Sequence, residues 1–206
     1  AFTAQLTALI CFAVALAEAK GAINAARRDE IHSLIQGLPS MIGKTLALFD
    51  EIRPLANSLT TARSALYLGR DVLFPVALEG ALKLKELSYI HAEGFASGEM
   101  KHGPIALIED GLPVIALLAA DEVMGKAASN LQEASARGAR IILVTEDRAA
   151  TAVDFADEIV RVPNVDPLLA PILLTVPVQI LAYLTAFEKG TDVDQPRNLA
   201  KSVTVE

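Results

Sequence analysis

The change of pattern after residue 63 constrains the fold more than any other feature of the chain. From Ser64 onward, short apolar runs alternate with longer segments of helical periodicity. The predicted strands are Ala65–Leu68, Pro113–Leu118, Arg140–Thr145 and Glu158–Val162, and the predicted helices are Pro75–Ala92, Asp121–Arg137 and Asp166–Lys189. Because the strands are continuously apolar, this order indicates a parallel sheet covered on both faces. The sequence therefore predicts a doubly wound α/β fold.

Extra helices are predicted before the sheet. Ala1–Lys20 is apolar on nearly all sides, and Asp29–Leu59 is helical in period, with possible breaks at Pro39 and Pro54. The most apolar stretch, Leu6–Ala17, lacks a basic start and is shorter than the roughly 18–20 residues that a bilayer requires. We interpret it as a helix that a larger body covers.

Charge and composition exclude several function classes. A net charge of -7 without a basic run is unfavourable for nucleic-acid binding, although a local cluster of cations could still hold a small anion. Cys11 is the only cysteine, which rules out an intrachain disulfide. The three histidines are widely spaced, so the sequence predicts no metal site.

The turn after the first strand is the first place to expect a ligand. In open parallel sheets, ligands bind beyond the carboxyl ends of strands, and Gly69-Arg70-Asp71 follows such an end. Pro75 suits the first position of the next helix, whose free amides favour an anion. The alternative is a glycine that serves the turn alone.

That next helix carries charges on one face. Glu79, Lys83 and Glu86 stand at helical spacing among many leucines, which is unusual for a solvated face. The sequence leaves two interpretations open, a surface ion-pair ladder and a group of charges held in a cleft.

Two further segments hold candidate residues. His102 lies between Gly98 and Gly103-Pro104, a sequence that cannot be continuous helix, so we expect it on a loop where it could transfer protons or simply be solvated. The last 16 residues include Arg197 and Lys201 and are expected to lie over the domain, unless they are disordered. A lysine becomes a good nucleophile only when it loses water and its pKa falls.

These residues carry a resemblance to a known family. The segments ALEGALKLKELSYIHAEGFASGEMKHGPIAL and DVDQPRNLAKSVTVE closely resemble the second SIS (sugar isomerase) domain and tail of glutamine:fructose-6-phosphate amidotransferases, also called glucosamine-6-phosphate synthases. The resemblance implies an SIS-type, flavodoxin-like sheet. It also implies a cytoplasmic homodimer that makes glucosamine 6-phosphate and glutamate from fructose 6-phosphate and glutamine, for amino-sugar synthesis, without a cofactor.

The resemblance also implies roles for single residues. Lys201 would form a Schiff base with the ketose, and Glu86 would move a proton between C1 and C2. His102, given by the neighbouring subunit, would assist ring opening, and Lys83 would hold Glu86 and sugar oxygens. The positions expected to contact substrate are Ala200, Arg197, Gly69 and Arg70.

The same resemblance predicts how the chain is divided. Residues 1–22 would be the terminal helix of a first SIS domain, residues 23–190 the second SIS domain, and residues 191–206 a catalytic tail. The chain lacks the N-terminal cysteine nucleophile of the family and the Ser/Thr-rich phosphate loop of the first SIS domain, so we expect little or no turnover from it alone. The family usually has Gly where this chain has Asp71, whose carboxylate would repel a phosphate.

Two alternatives remain open at this point. One is a free-standing phosphosugar isomerase or deaminase, which the DVDQPRNLAKSVTVE ending disfavours. The other is a noncatalytic SIS module that binds a phosphosugar. Retention of Lys83, Glu86, His102 and Lys201 argues against that module, because binding alone needs neither an amine nor a base.

Overall fold

A five-stranded parallel sheet runs through the centre of the computed structural model, which describes residues 1–198. The strands are β1 Ser64–Gly69, β2 His91–Ala96, β3 Pro113–Leu118, β4 Arg140–Glu146 and β5 Glu158–Val162. Their order is β2-β1-β3-β4-β5, and all neighbours are parallel. The winding reverses between β1 and β3, which makes that gap the switch point of the sheet. The predicted doubly wound α/β fold is confirmed.

Helices precede the sheet and connect its strands. The α-helices are α1 Phe2–Ala19, α2 Ala25–Leu46, α3 Phe49–Leu59, α4 Phe74–Ser88, α5 Met124–Ser135 and α6 Ala170–Glu188. Short 3-10 turns follow three of the strands: Asp71–Leu73 comes after β1, Ser97–His102 and then Pro104–Leu107 after β2, and Asp147–Ala152 after β4. Each turn therefore lies at the carboxyl edge of the sheet, where the strands end.

Both faces of the sheet are buried. Tyr67, Ile115 and Val144 belong to one core cluster, together with α4 and α6. Their sequence neighbours on the same strands face the opposite cluster, which includes α5. This alternation in strands that are buried on both sides explains their continuous apolar sequence.

The structure contains a strand that the sequence prediction missed. The helix predicted to reach Ala92 ends at Ser88, and Tyr89 adopts a left-handed backbone conformation with φ 61°. The next segment, HAEGFA, forms β2 although it contains Glu93 and Gly94, residue types that are rare in strands. Gly94 is needed there because a Cβ would lie 2.9 Å from the Cα of Leu78 on α4.

The prolines before the sheet do not break helices. α2 continues through Pro39, and α3 contains Pro54. The break lies instead at Ala47–Leu48, between the two helices. Pro39 is exposed, so the carbonyl that it leaves without a main-chain donor can be hydrated.

α1 and α6 are equally apolar but differ in burial. Both have a mean hydropathy of 1.7 and the length to span a membrane, yet 78% of the α6 window is buried and only 6% of the α1 window. α6 is a core helix that packs against α3 and α4. On α1, Phe12 is 66% exposed and Leu9 is 62% exposed, as expected for a helix that other residues would cover.

Candidate active site

An ion pair lies on the last turns of α4. Lys83 Nζ is 2.6 Å from Glu86 Oε2, and the two side chains are 30% and 29% exposed. Leu78 and Leu82 are exposed on the same helix, at 45% and 40%. The pair is therefore neither fully solvated nor enclosed, and it lies within an apolar surface that another body could cover.

The chain returns to this end of α4 after α6. The Thr191 hydroxyl lies 2.7 Å from the carbonyl oxygen of Leu87, one of the helix-end carbonyls that have no partner within α4. Farther along, the backbone N–H of Arg197 donates to the Tyr89 hydroxyl over 2.9 Å. The Arg197 guanidinium carbon also lies 4.0 Å from the centroid of the Tyr89 ring.

Two of the predicted site residues follow the part of the chain that the structure describes. Ala200 and Lys201 lie outside the described residues, which end at Asn198. Arg197, predicted to contact substrate, is placed against Tyr89 and close to the end of α4. The sequence prediction did not single out Tyr89 or Thr191 as members of this site.

His102 lies at the other end of the sheet from Glu86. It is the last residue of a 3-10 turn and is exposed, and Gly103 follows it with φ 149°. This turn comes after β2, at the carboxyl edge, whereas α4 starts at that edge and runs back toward the amino edge. One copy of the chain therefore brings Lys83 and Glu86 together but keeps His102 apart from them.

The turn after β1 has its own local geometry. A Cβ at Gly69 would lie 2.2 Å from the carbonyl oxygen of Leu73, so the turn excludes every side chain at this position. Arg70 Nη1 donates to Asn130 Oδ1 over 3.1 Å, beside a cavity of about 440 Å³ that Lys101 and Lys126 also line. Asp71 has φ 51°, a backbone region in which glycine is favoured.

The crevice at the switch point is acidic. It has a volume of about 820 Å³, and its charged lining consists of Arg27 and four carboxylates, Asp71, Asp121, Glu122 and Asp166. Burial raises the pKa of Asp121, and the charges of Asp71 and Glu146 raise it further. Such a crevice repels a phosphate, in contrast to the anion site that its position suggests.

A buried carboxylate supports one wall of this crevice. Glu146 has no exposed surface; its oxygens accept from the backbone N–H groups of Ala120 and Val165, each over 3.2 Å. Arg148 Nε lies 2.9 Å from Glu146 Oε2. Glu146 thus fixes the loops after β3 and β5. Within residues 1–198, the acidic groups form no cluster arranged to hold a metal ion.

Little in the sequence points to these crevice residues. Asp71 and Asp121 each follow a strand, so their positions beyond carboxyl ends were a usable signal. Asp166 lies on the loop after β5, and no local sequence pattern predicts that it lies near Asp71.

Comparison with known proteins places most of the chain in one family. Residues 58–189 match the SIS domain. Over its whole length, the chain is 50% identical to proteins named glutamine–fructose-6-phosphate aminotransferase (isomerizing) from Brucella abortus and Leifsonia xyli. It spans about a third of the length of these relatives, 34% in each case.

Solved structures show the same relationship. The C-terminal domain of glucosamine-fructose-6-phosphate aminotransferase from Francisella tularensis is 37% identical, with a TM-score of 0.91 over 94% of this chain and 55% of that chain. A glucosamine-6-phosphate deaminase from Thermotoga maritima is 26% identical, with a TM-score of 0.63 over 92% of this chain and 53% of that chain.

Proposed function

Since the chain belongs to the SIS domain family, we propose that it is the C-terminal isomerase part of a glutamine–fructose-6-phosphate aminotransferase. The parent enzyme would make glucosamine 6-phosphate and glutamate from fructose 6-phosphate and glutamine, in the cytoplasm. The 50% identity to aminotransferases along the whole chain supports this assignment. The similarity to the deaminase is weaker, both in sequence identity and in TM-score.

One observation carries the catalytic proposal. Arg197, near the end of the described residues, contacts Tyr89 at the end of α4, and the last turns of this helix hold the Lys83–Glu86 pair. An amine that follows shortly after Arg197 in the sequence therefore begins near a carboxylate. A Schiff-base lysine and a proton-transfer base must lie on the same substrate, and this arrangement permits it.

The proposed reaction uses the side chains of Lys201 and Glu86. The Lys201 amine attacks C2 of the open-chain ketose and water leaves, which forms an iminium. Ammonia from glutamine then replaces the lysine at C2. Glu86 removes a proton from C1, which the C2 iminium acidifies, and returns a proton to C2. The balance is one fructose 6-phosphate and one ammonia converted to glucosamine 6-phosphate and water, so no cofactor takes part.

Lys83 has a supporting role in this scheme. Its ammonium group lies 2.6 Å from Glu86 Oε2 and holds this carboxylate in place on the face of α4. It also offers two further N–H donors to sugar oxygens.

His102 is proposed to act across a homodimer interface. Its position at the carboxyl edge, away from Glu86, is what a site built from two copies would require. The histidine of one copy would assist ring opening at the Glu86 site of its partner.

Phosphate binding is assigned mainly to parts of the enzyme outside this chain. The four carboxylates of the switch-point crevice make it a poor phosphate site, and the relatives have a further two thirds of their length in which another SIS domain can lie. Gly69 and Arg70 remain predicted substrate contacts, as do Ala200 and Arg197. On this proposal the isolated chain has little or no turnover.

Borohydride trapping tests the proposal. The full-length enzyme is incubated with fructose 6-phosphate and borohydride, and the modified lysine is found by mass spectrometry. We expect the sugar adduct on Lys201, and its loss in Lys201→Ala. Lys85→Ala is the matched control, because Lys85 is an exposed lysine on α4 next to the proposed site.

The outcomes separate the candidate functions. An adduct on Lys201 together with glutamine-dependent glucosamine 6-phosphate formation supports the aminotransferase. Release of ammonia from glucosamine 6-phosphate without use of glutamine would indicate the deaminase instead. Phosphosugar binding with neither an adduct nor turnover in the full-length protein would indicate a noncatalytic module.

A further inference from the structure

We infer that Tyr89 is a positioning residue that clamps the chain at Arg197 and thereby sets the approach of the last residues to Glu86. The inference rests on the proposed function, because it concerns delivery of the Lys201 amine. Its evidence is the set of contacts between the end of α4 and residues 191–197, a segment that we call the strap.

Tyr89 holds the strap in two ways at once. Its hydroxyl accepts the backbone N–H of Arg197 over 2.9 Å, and its ring faces the Arg197 guanidinium, whose carbon lies 4.0 Å from the ring centroid. A cation over the face of an aromatic ring is attracted by its π electrons. One side chain therefore fixes both the main chain and the side chain of Arg197.

The other end of the strap is also attached to α4. The Thr191 hydroxyl lies 2.7 Å from the carbonyl oxygen of Leu87 and 3.0 Å from that of Ala186, so it bridges the ends of α4 and α6. Between the two attachments, Asp192 Oδ1 accepts from the backbone N–H groups of Asp194 and Gln195, at 2.9 and 3.0 Å. Such a turn shortens and stiffens the strap.

The end of α4 sets the orientation of Tyr89. Tyr89 has φ 61°, and its N–H donates to the carbonyl oxygen of Lys85, which closes α4. The ring is thus tied to the turn that carries Glu86, only three residues earlier.

Chain length is consistent with delivery of the amine. Lys201 follows Arg197 by four residues, and four extended residues span at most about 14 Å of main chain. The clamp at Arg197 therefore limits the distance that the Lys201 main chain can lie from the end of α4. Without the clamp, the last residues would be held only from Thr191, and the range of positions open to the amine would grow.

The test compares substitutions of Tyr89 in the full-length enzyme. Tyr89→Leu removes both contacts, and Tyr89→Phe keeps the ring but removes the hydroxyl. We measure kcat, KM for fructose 6-phosphate and the rate of borohydride trapping at Lys201. Tyr183→Leu is the matched control, because Tyr183 is a 40% exposed tyrosine on α6 that packs against Phe49 and Phe187 rather than the strap.

We expect Tyr89→Leu to lower kcat and the trapping rate together by roughly 10- to 100-fold, with a smaller change in KM, because displacement of a reacting group by about 1 Å can cost 100-fold. Tyr89→Phe should lose less, because it keeps the aromatic ring that faces the Arg197 guanidinium. A purely structural role would lower stability without this selective loss of kcat and trapping rate. Wild-type kcat and trapping in a folded Tyr89→Leu protein would overturn the inference, as would equal losses in Tyr183→Leu.

Two safeguards keep the test decisive. If Tyr89→Leu does not fold, Arg197→Met removes the cation from the ring at an exposed position, and unchanged trapping in that variant overturns the inference. If the wild-type enzyme itself gives no adduct at Lys201, the proposed function fails instead, so the two failures are distinguishable.

Discussion

The end of α4 and the crevice between β1 and β3 both gather charged side chains, but with opposite chemistry. At the end of α4, the carboxylate of Glu86 has a lysine at 2.6 Å, and a second cation, Arg197, lies on the neighbouring Tyr89. In the crevice, four carboxylates share one arginine, and the pKa of Asp121 is raised by burial and by like charges. The crevice has the position expected of an active site in this fold, whereas the end of α4 has the amine and carboxylate that the proposed reaction uses.

The difference teaches that topology and charge must be considered together. A switch point offers space and helix ends, but carboxylates in that space cancel its attraction for an anion. A paired carboxylate and amine on a half-exposed helix face can instead become a site when a second body covers it. Changes at the two places should therefore have different consequences.

The largest contrast is expected in catalysis. Glu86→Gln in the full-length enzyme should lower kcat by about 10²- to 10⁴-fold, the usual contribution of a general base. Glu122→Gln in the crevice should leave kcat within about twofold of wild type. Steady-state synthesis of glucosamine 6-phosphate measures both, and a crevice variant with the larger loss would reverse our assignment of the two regions.

The next contrast is in stability. Glu146→Leu should lower the free energy of unfolding by about 2–5 kcal/mol, because two main-chain N–H groups lose a buried acceptor. Glu146→Gln should cost less, since its amide oxygen can still accept one of them. Glu86→Gln, at a surface ion pair, should change stability by less than about 1 kcal/mol. Urea unfolding of the same protein set compares the three, and a neutral Glu146→Leu would show that the crevice wall does not need its carboxylate.

A smaller effect is expected at Asp71. Its φ of 51° is unfavourable for a residue with a Cβ, so Asp71→Gly should stabilise the folded state by about 0.5–1 kcal/mol. Asp71→Ala separates the two causes, because it removes the carboxylate but keeps the strained backbone. Thermal unfolding at neutral pH decides between them, and equal stabilisation by Asp71→Ala and Asp71→Gly would assign the effect to charge.

The smallest effect concerns pH. Because burial raises the pKa of Asp121 above its ordinary value of 3.8 in the folded protein, the folded state holds this proton more tightly than the unfolded state. Stability from this group is present below pH 3.8 and is lost as the pH rises through the raised value. Asp121→Asn should therefore stabilise the protein at pH 7 by less than about 0.5 kcal/mol and not at pH 3, as unfolding at the two pH values can show.

The central strands were predictable because they are buried on both faces. The predicted limits of Pro113–Leu118 match the structure, where all six residues are buried. The limits of Glu158–Val162 match as well, although this edge strand is only partly buried. β2 was missed because Glu93 and Gly94 favour neither a strand nor burial. Its position depends on the close approach of α4, which is a tertiary effect.

The site was predictable only where its residues are close in sequence. Lys83 and Glu86 are three residues apart on one helix, so their spacing alone predicts an ion pair. Tyr89 and Arg197 are 108 residues apart, and only the path of the chain after α6 brings them together. The family resemblance supplied the expected roles of Lys201 and His102, which no local pattern provides.

Gly69 has a consequence for experiments that map function by mutation. A saturation scan should find every replacement at position 69 harmful, because a first carbon beyond the backbone would lie 2.2 Å from the main-chain oxygen of Leu73. Intolerance of this kind is easily misinterpreted as evidence that position 69 contacts a ligand. The intolerance would instead record how tightly a strand end and the following turn are folded together, so depletion of variants there is no measure of substrate recognition.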